Sequence, residues 1–229
     1  TEAAARTARK VTGKPAEATG PVVPRRFTGE PDEVDEPGGP GPEEAERAGD
    51  AGQAWRDELG FLAPDRPSVL VSAGAWGVGS QLRGTARQLA GHGVFPVLLC
   101  GHDERLRRRA ARVPGTLALG WVADMAGLMT AADALIDNAA GQTAAQALAA
   151  GLPVIGYRPL PGHGAEGMQE MAEAGASELA RDSEELMLAL ERVLRTGPVR
   201  EERIANGRAL FRADAAQRIA ELALAGVRA

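Results

Sequence analysis

The stretch ALIDNAAGQTAAQALAAGLPVIGY, residues 134–157, decides the fold. ALID is a short apolar run, GQTAAQALAAG is rich in helix-forming alanine and closed by glycine, and PVIGY is apolar again. That pattern predicts a buried strand, a short helix ending at Gly151 and a second buried strand. Parallel strands need a crossover connection, and the helix supplies one. Moving outward, the same alternation recurs. SVLVSAG (68–74), VFPVLLCG (94–101) and TLALGWV (116–122) read as strands. Helices are expected from about Ser80 to Ala90 and over DERLRRRAARV (103–113), DMAGLMTAA (124–132) and GAEGMQEMAEAG (164–175). SEELMLALERVLR (183–195) is an amphipathic helix, and one or two more helices follow Arg200. No repeat of fixed period is visible. The fold class is therefore α/β, a doubly wound, Rossmann-like parallel sheet flanked by helices.

With 229 residues, 44% apolar and 25% charged, the chain has the composition of an ordinary globular protein. A net charge of -5 gives no electrostatic reason to expect nucleic acid as a partner. Lys10 and Lys14 are the only lysines among 26 basic residues, a bias that suits a GC-rich genome. Cys100 is the single cysteine, so neither an intrachain disulfide nor a cysteine metal cluster is expected. No apolar run approaches the roughly 20 residues of a membrane helix. Without a secretory signal the sequence reads as cytoplasmic, at most peripheral at the inner membrane. It opens at Thr1 without a methionine, which reads as part of a longer polypeptide. Residues 28–53, TGEPDEVDEPGGPGPEEAERAGDAGQ, are rich in Pro, Gly and acids and are expected to be a flexible linker running into a helix at AWRDELGFL.

Ligands of such sheets bind beyond the carboxyl ends of the strands, on the loops that lead into the helices. SAGAWGVGS (72–80) sets Gly74, Gly77 and Gly79 between strand and helix. Glycines there let backbone approach a phosphate, although a tight turn alone accounts for them equally well. NAAGQTAAQAL (138–148) offers uncapped N–H groups, with Gln142 or Thr143 near the cap and Gln146 one turn on; close packing through alanines is the plainer reading. YRPLPGHG (157–164) carries His163 in a rigid Pro-Gly setting, where a surface role is the commoner one. His92 and His102 lack metal-ligand spacing with it, so no metal site is expected. Arg105, Arg108, Arg109 and Arg112 share overlapping faces of one helix. A solvated face is the ordinary reading, and contact with an anionic membrane the alternative.

Taken in order, these loops resemble the donor-binding, carboxyl-terminal domain of two-domain (GT-B type) glycosyltransferases. The likeness is to monogalactosyldiacylglycerol synthases and diacylglycerol glucosyltransferases, and more distantly to the peptidoglycan N-acetylglucosaminyltransferase. It rests on the SAGAWGVGS turn, on Cys100-Gly101 ending the second strand, on GWVADMAGLM (120–129), and above all on AAGQTAAQALAAGLPVIGYRPLPGHGAEG. VTGKPAEATGPVVPRRF (11–27) is similar to the segment that closes the family's first domain, so the resemblance covers about Val11 to Leu194. It implies residues 1–27 as the tail of an amino-terminal acceptor domain, 28–53 as the linker, and 54–229 as the donor domain.

What the resemblance implies can be set out loop by loop. Gly74, Ala75, Trp76, Gly77 and Val78 would line the cleft between domains, with Gly101 at the neighbouring strand end. Backbone at Trp121 and Val122 would meet the uracil. Ala140, Gly141, Gln142 and Thr143 would bind the diphosphate at the helix N-terminus. Pro161, Gly162 and His163 would address the sugar. Three positions depart from the family: its ribose-binding glutamate is Gln146, its Gln-Glu after Pro-Gly is His163-Gly164, and its later asparagine is Gly167. The implied function is hexosyl transfer from a UDP-sugar to a lipid or other hydroxyl acceptor by inverting displacement, with no cofactor or metal. The acceptor site and general base belong to the amino-terminal domain, so the chain nominates no catalytic base and is expected to bind donor but barely turn it over. Its expected partners are the UDP-sugar, that missing domain and peripherally a membrane. Two other readings share the architecture: a non-catalytic nucleotide-sugar module, and a sugar-nucleotide epimerase, for which no carboxylate set suited to proton abstraction is visible.

Overall fold

The computed structural model describes residues 2–28, 42–72, 81–211 and 215–227. Its sheet has six parallel strands: β1 (Ser68–Ser72), β2 (Phe95–Leu99), β3 (Leu117–Leu119), β4 (Ala134–Asp137), β5 (Val154–Tyr157) and β6 (Ser177–Ala180). The spatial order β3-β2-β1-β4-β5-β6 is that of doubly wound nucleotide-binding sheets, and it reverses between β1 and β4. Ser72 lies level with Leu99, Val71 with Ile136, and Asp137 with Gly156, so four strands end close to one line.

Helices cover both faces. On one, α3 (Leu82–Gly91), α4 (Glu104–Ala110) and α8 (Ser183–Leu194) bury Leu82, Leu89, Leu186 and Leu190 against Val71, Leu98 and Ile136. On the other, α5 (Met125–Ala131), α6 (Gln142–Ala150) and α7 (His163–Glu173) bury Leu128, Leu148 and Met168 against Leu70, Val97 and Leu135. Successive residues of β1 thus serve opposite layers, which is why these strands read as continuous apolar runs. The remaining helices are α1 (Glu2–Thr12), α2 (Pro42–Leu62), α9 (Pro198–Ala209) and α10 (Ala215–Val227).

Three features differ from the sequence reading. Residues 42–53, assigned to the linker, belong to helix α2. Glu, Ala and Arg favour helix there, Pro42 suits a first turn, and the helix runs along α5, with Arg56 Nη1 donating to Thr130 O at 3.4 Å. Phe27, expected to close another domain, is buried in this domain's own core beside α6. Strand β6 has no continuous apolar run to mark it, because SELA carries Glu178. That carboxylate is buried between Arg192 at 2.6 Å and Arg203 at 2.9 Å, which ties the edge strand to α8 and α9. Glu178→Ala should cost about 2 kcal/mol in urea denaturation, less than full burial would give because Arg192 reaches solvent.

Candidate functional site

The carboxyl edge of β4 is built around one buried acid. Asp137 is 2% exposed and ends the strand. Its Oδ2 accepts from Ala139 N and Ala140 N, both at 3.1 Å, and the Ser72 hydroxyl donates to the carboxylate from the end of β1. Burial raises its pKa above the ordinary aspartate value despite these hydrogen bonds. The turn it holds forces Ala140 to φ +50°, a left-handed conformation that alanine rarely adopts.

That turn delivers the chain to α6 at Gly141, which caps the helix without a side-chain hydrogen bond. Gly141 and Gln142 are exposed and the first turn holds no acid, so its N–H groups and the positive end of the helix dipole are open to an anion. Thr143 and Gln146 are half-buried on the same helix. The second loop is fastened to the first: Leu160 N donates to Asn138 O at 2.8 Å. A Cβ built on Gly164 would lie 3.3 Å from Asn138 O and 3.4 Å from Ala139 Cα. Here the two loops flanking α6 form one surface. Arg158, also left-handed at φ +50°, lays its guanidinium over Tyr157 and hydrogen-bonds Gln81 at the start of α3. Ser72, Gln81, Asp137, Tyr157 and Arg158 line a small cleft at the point where strand order reverses.

On the other side of β1, the loops after β2 and β3 meet. Cys100 N donates to Leu119 O at 2.9 Å, and His102 stacks on Trp121 with ring centroids 4.3 Å apart and 10° between planes. Trp121 is 64% exposed, whereas Val122 packs partly into the core. Three strand spacings separate β3 from β4, so the Trp121 and Gly141 loops stand roughly 14 Å apart, a span suited to an extended nucleoside diphosphate. Cys100 is buried, and that burial pushes its thiol up to about 11.

Gly101, Trp121, Val122, Ala140, Gly141, Gln142, Thr143, Gln146, Pro161 and Gly162 all lie on the carboxyl edge or on α6 just behind it. Gly74, Ala75, Trp76, Gly77 and Val78 lie outside the described residues. His163 begins α7. Sequence reasoning missed Asp137, Arg158 and Gln81. A signal existed for the first, since an aspartate ending a strand before small residues is a turn-forming side chain; the contact between Arg158 and Gln81 joins distant segments and has no local mark.

The fold is that of an α/β domain similar to one half of GT-B glycosyltransferases. Acinetobacter baumannii MurG superposes with a TM-score of 0.55 at 21% identity, over 73% of this chain and 52% of that one. Anabaena HepE, solved with UDP and glucose, gives 0.56 at 19% identity over 76% and 51%. The sequence relatives are more particular. The processive diacylglycerol β-glucosyltransferase of Bacillus licheniformis is 30% identical over 139 residues, 58% of this chain and 36% of that enzyme. The UDP-N-acetylglucosamine–N-acetylmuramyl-(pentapeptide) pyrophosphoryl-undecaprenol N-acetylglucosamine transferase of Corynebacterium efficiens is 32% identical over 140 residues, 58% and 38%. The matched region is thus little more than a third of each relative's length, and these are the two kinds of enzyme that the loops resemble. No protein-family model matches the chain.

Proposed function

We propose that this chain is the sugar-donor half of a UDP-sugar-dependent hexosyltransferase whose acceptor is a lipid or another hydroxyl compound. The observation that carries the reading is the uncapped N-terminus of α6, set by Asp137 at the switch point of the sheet and walled by the 157–162 loop. A diphosphate there would meet the Gln142 and Thr143 N–H groups and the helix dipole, which would also stabilise UDP as it departs. The base faces the loop that carries Trp121, and the ribose lies toward Gln146. The acceptor hydroxyl and its general base come from the amino-terminal domain that the relatives' greater length accommodates, with a membrane as the source of a lipid acceptor.

Calorimetric titration with UDP, UDP-glucose, UDP-galactose and UDP-N-acetylglucosamine tests this directly. Binding of uridine nucleotides is expected, and failure of all four near millimolar concentration would overturn the reading. Gln146→Glu should tighten UDP binding roughly threefold to tenfold, because a carboxylate accepts from both ribose hydroxyls and its hydrogen bonds are charge-assisted. An unchanged affinity would place Gln146 away from the ribose.

A further inference from the structure

We propose that the outer face of α3 and α4 is a docking surface for an anionic phospholipid bilayer, a choice of partner that rests on the lipid-acceptor reading above. Arg83 and Arg87 are exposed one turn apart on α3, while Leu82, Ala86 and Leu89 face the core. On α4, Arg105, Arg108 and Arg109 are exposed at i, i+3 and i+4, and Arg112 is exposed in the turn just after it. That spacing makes one stripe, and Ala110 is buried on the opposite side. The two helices touch each other on the same face of the sheet, so their exposed arginines lie on neighbouring elements.

Little on that surface neutralises it. Asp103 is engaged as the α4 cap through Leu106 N at 2.9 Å. Glu104 pairs with Arg107 at 2.7 Å and with Arg108 at 3.5 Å. Arg83, Arg87, Arg105, Arg109 and Arg112 make no ion pair with any described residue. This is a concentrated positive field on a chain of net charge -5, so it orients the molecule as well as attracting it. No large apolar side chain is exposed among the described residues of either helix, which makes the contact adsorption onto phosphates rather than insertion. The face also lacks the aromatic side chains on which nucleic-acid bases stack. The relatives' names, by contrast, specify diacylglycerol and undecaprenol acceptors.

Co-sedimentation of the 229-residue chain with vesicles tests the proposal. The chain should pellet with phosphatidylcholine vesicles containing phosphatidylglycerol, stay free with pure phosphatidylcholine, and be released by salt. The triple variant Arg105→Gln, Arg109→Gln and Arg112→Gln should lose on the order of 100-fold in partitioning, at roughly fivefold per arginine. Arg26→Gln with Arg208→Gln, the first beside Phe27 and the second on α9, both against α6 on the opposite layer, should change nothing. Far-UV circular dichroism and the UDP titration, run on the same variants, separate this test from that of the donor site. The triple variant should keep both its spectrum and the parent's UDP response. No pelleting with phosphatidylglycerol, an unchanged triple variant, or preference for duplex DNA over anionic vesicles would each overturn the proposal.

Discussion

Replacing Asp137 with alanine is expected to destabilise the domain by about 2–4 kcal/mol and to weaken UDP binding at least roughly tenfold. The carboxylate is the acceptor for Ala139 N, Ala140 N and the Ser72 hydroxyl, and its removal strands these donors beside a left-handed alanine. The turn would relax, and the Gln142 and Thr143 N–H groups would lose their aim. Asp137→Asn keeps an oxygen for the turn, while the Ser72 hydroxyl can rotate to accept from the new amide. The asparagine variant should therefore retain most of the UDP affinity, which distinguishes loss of the acceptor from loss of the charge.

Its dependence on pH has a defined sign. Burial raises the folded-state pKa of Asp137 above its unfolded value, so the folded state binds the extra proton between the two values. Asp137 then contributes most to stability below the ordinary aspartate range, and that contribution is lost as pH rises through the raised native value. Urea denaturation of parent and Asp137→Asn across that window should show the parent falling relative to the variant. A difference that grows in the parent's favour with rising pH would contradict this account.

The second large effect joins two positions that sequence alone treats separately. A Cβ built on Gly167 would lie 2.7 Å from the Ala140 Cβ, closer than two methyl carbons can approach. Gly167→Ala should cost about 1–3 kcal/mol, since the Ala140 methyl sits on constrained backbone and cannot swing away. Ala140→Gly removes the obstructing carbon and the left-handed strain together. The double variant should therefore recover most of the loss, with a coupling of about 1–2 kcal/mol in the thermal or urea cycle. Strict additivity would show that α7 retreats without involving the 138–141 turn. The same logic explains why the resembling family's asparagine cannot simply be restored: Gly167→Asn should unfold where the Ala140→Gly pair with it folds.

The alternation of apolar runs with Ala-rich or amphipathic helices was legible locally, because backbone period and burial on both sheet faces are written into neighbouring residues. From it came the parallel sheet, the carboxyl-edge loops and the α6 turn. A strand of four residues with a buried glutamate escaped, since Glu178 is tolerable only beside Arg192 and Arg203 from later helices. The start of α2 escaped likewise, because its composition reads as linker although Glu, Ala and Arg there also favour helix. Most of the loops proposed to hold the donor could be named from sequence, yet the acid that anchors their turn could not. Asp137 is meaningful only because β1 brings Ser72 alongside, and Ala140 and Gly167 exclude each other only because α7 lies on the α6 turn. Sequence by itself determined most of the elements and which edge carries the candidate loops. Tertiary structure decided how the edge is held, because buried charge and steric exclusion act between residues far apart in the chain.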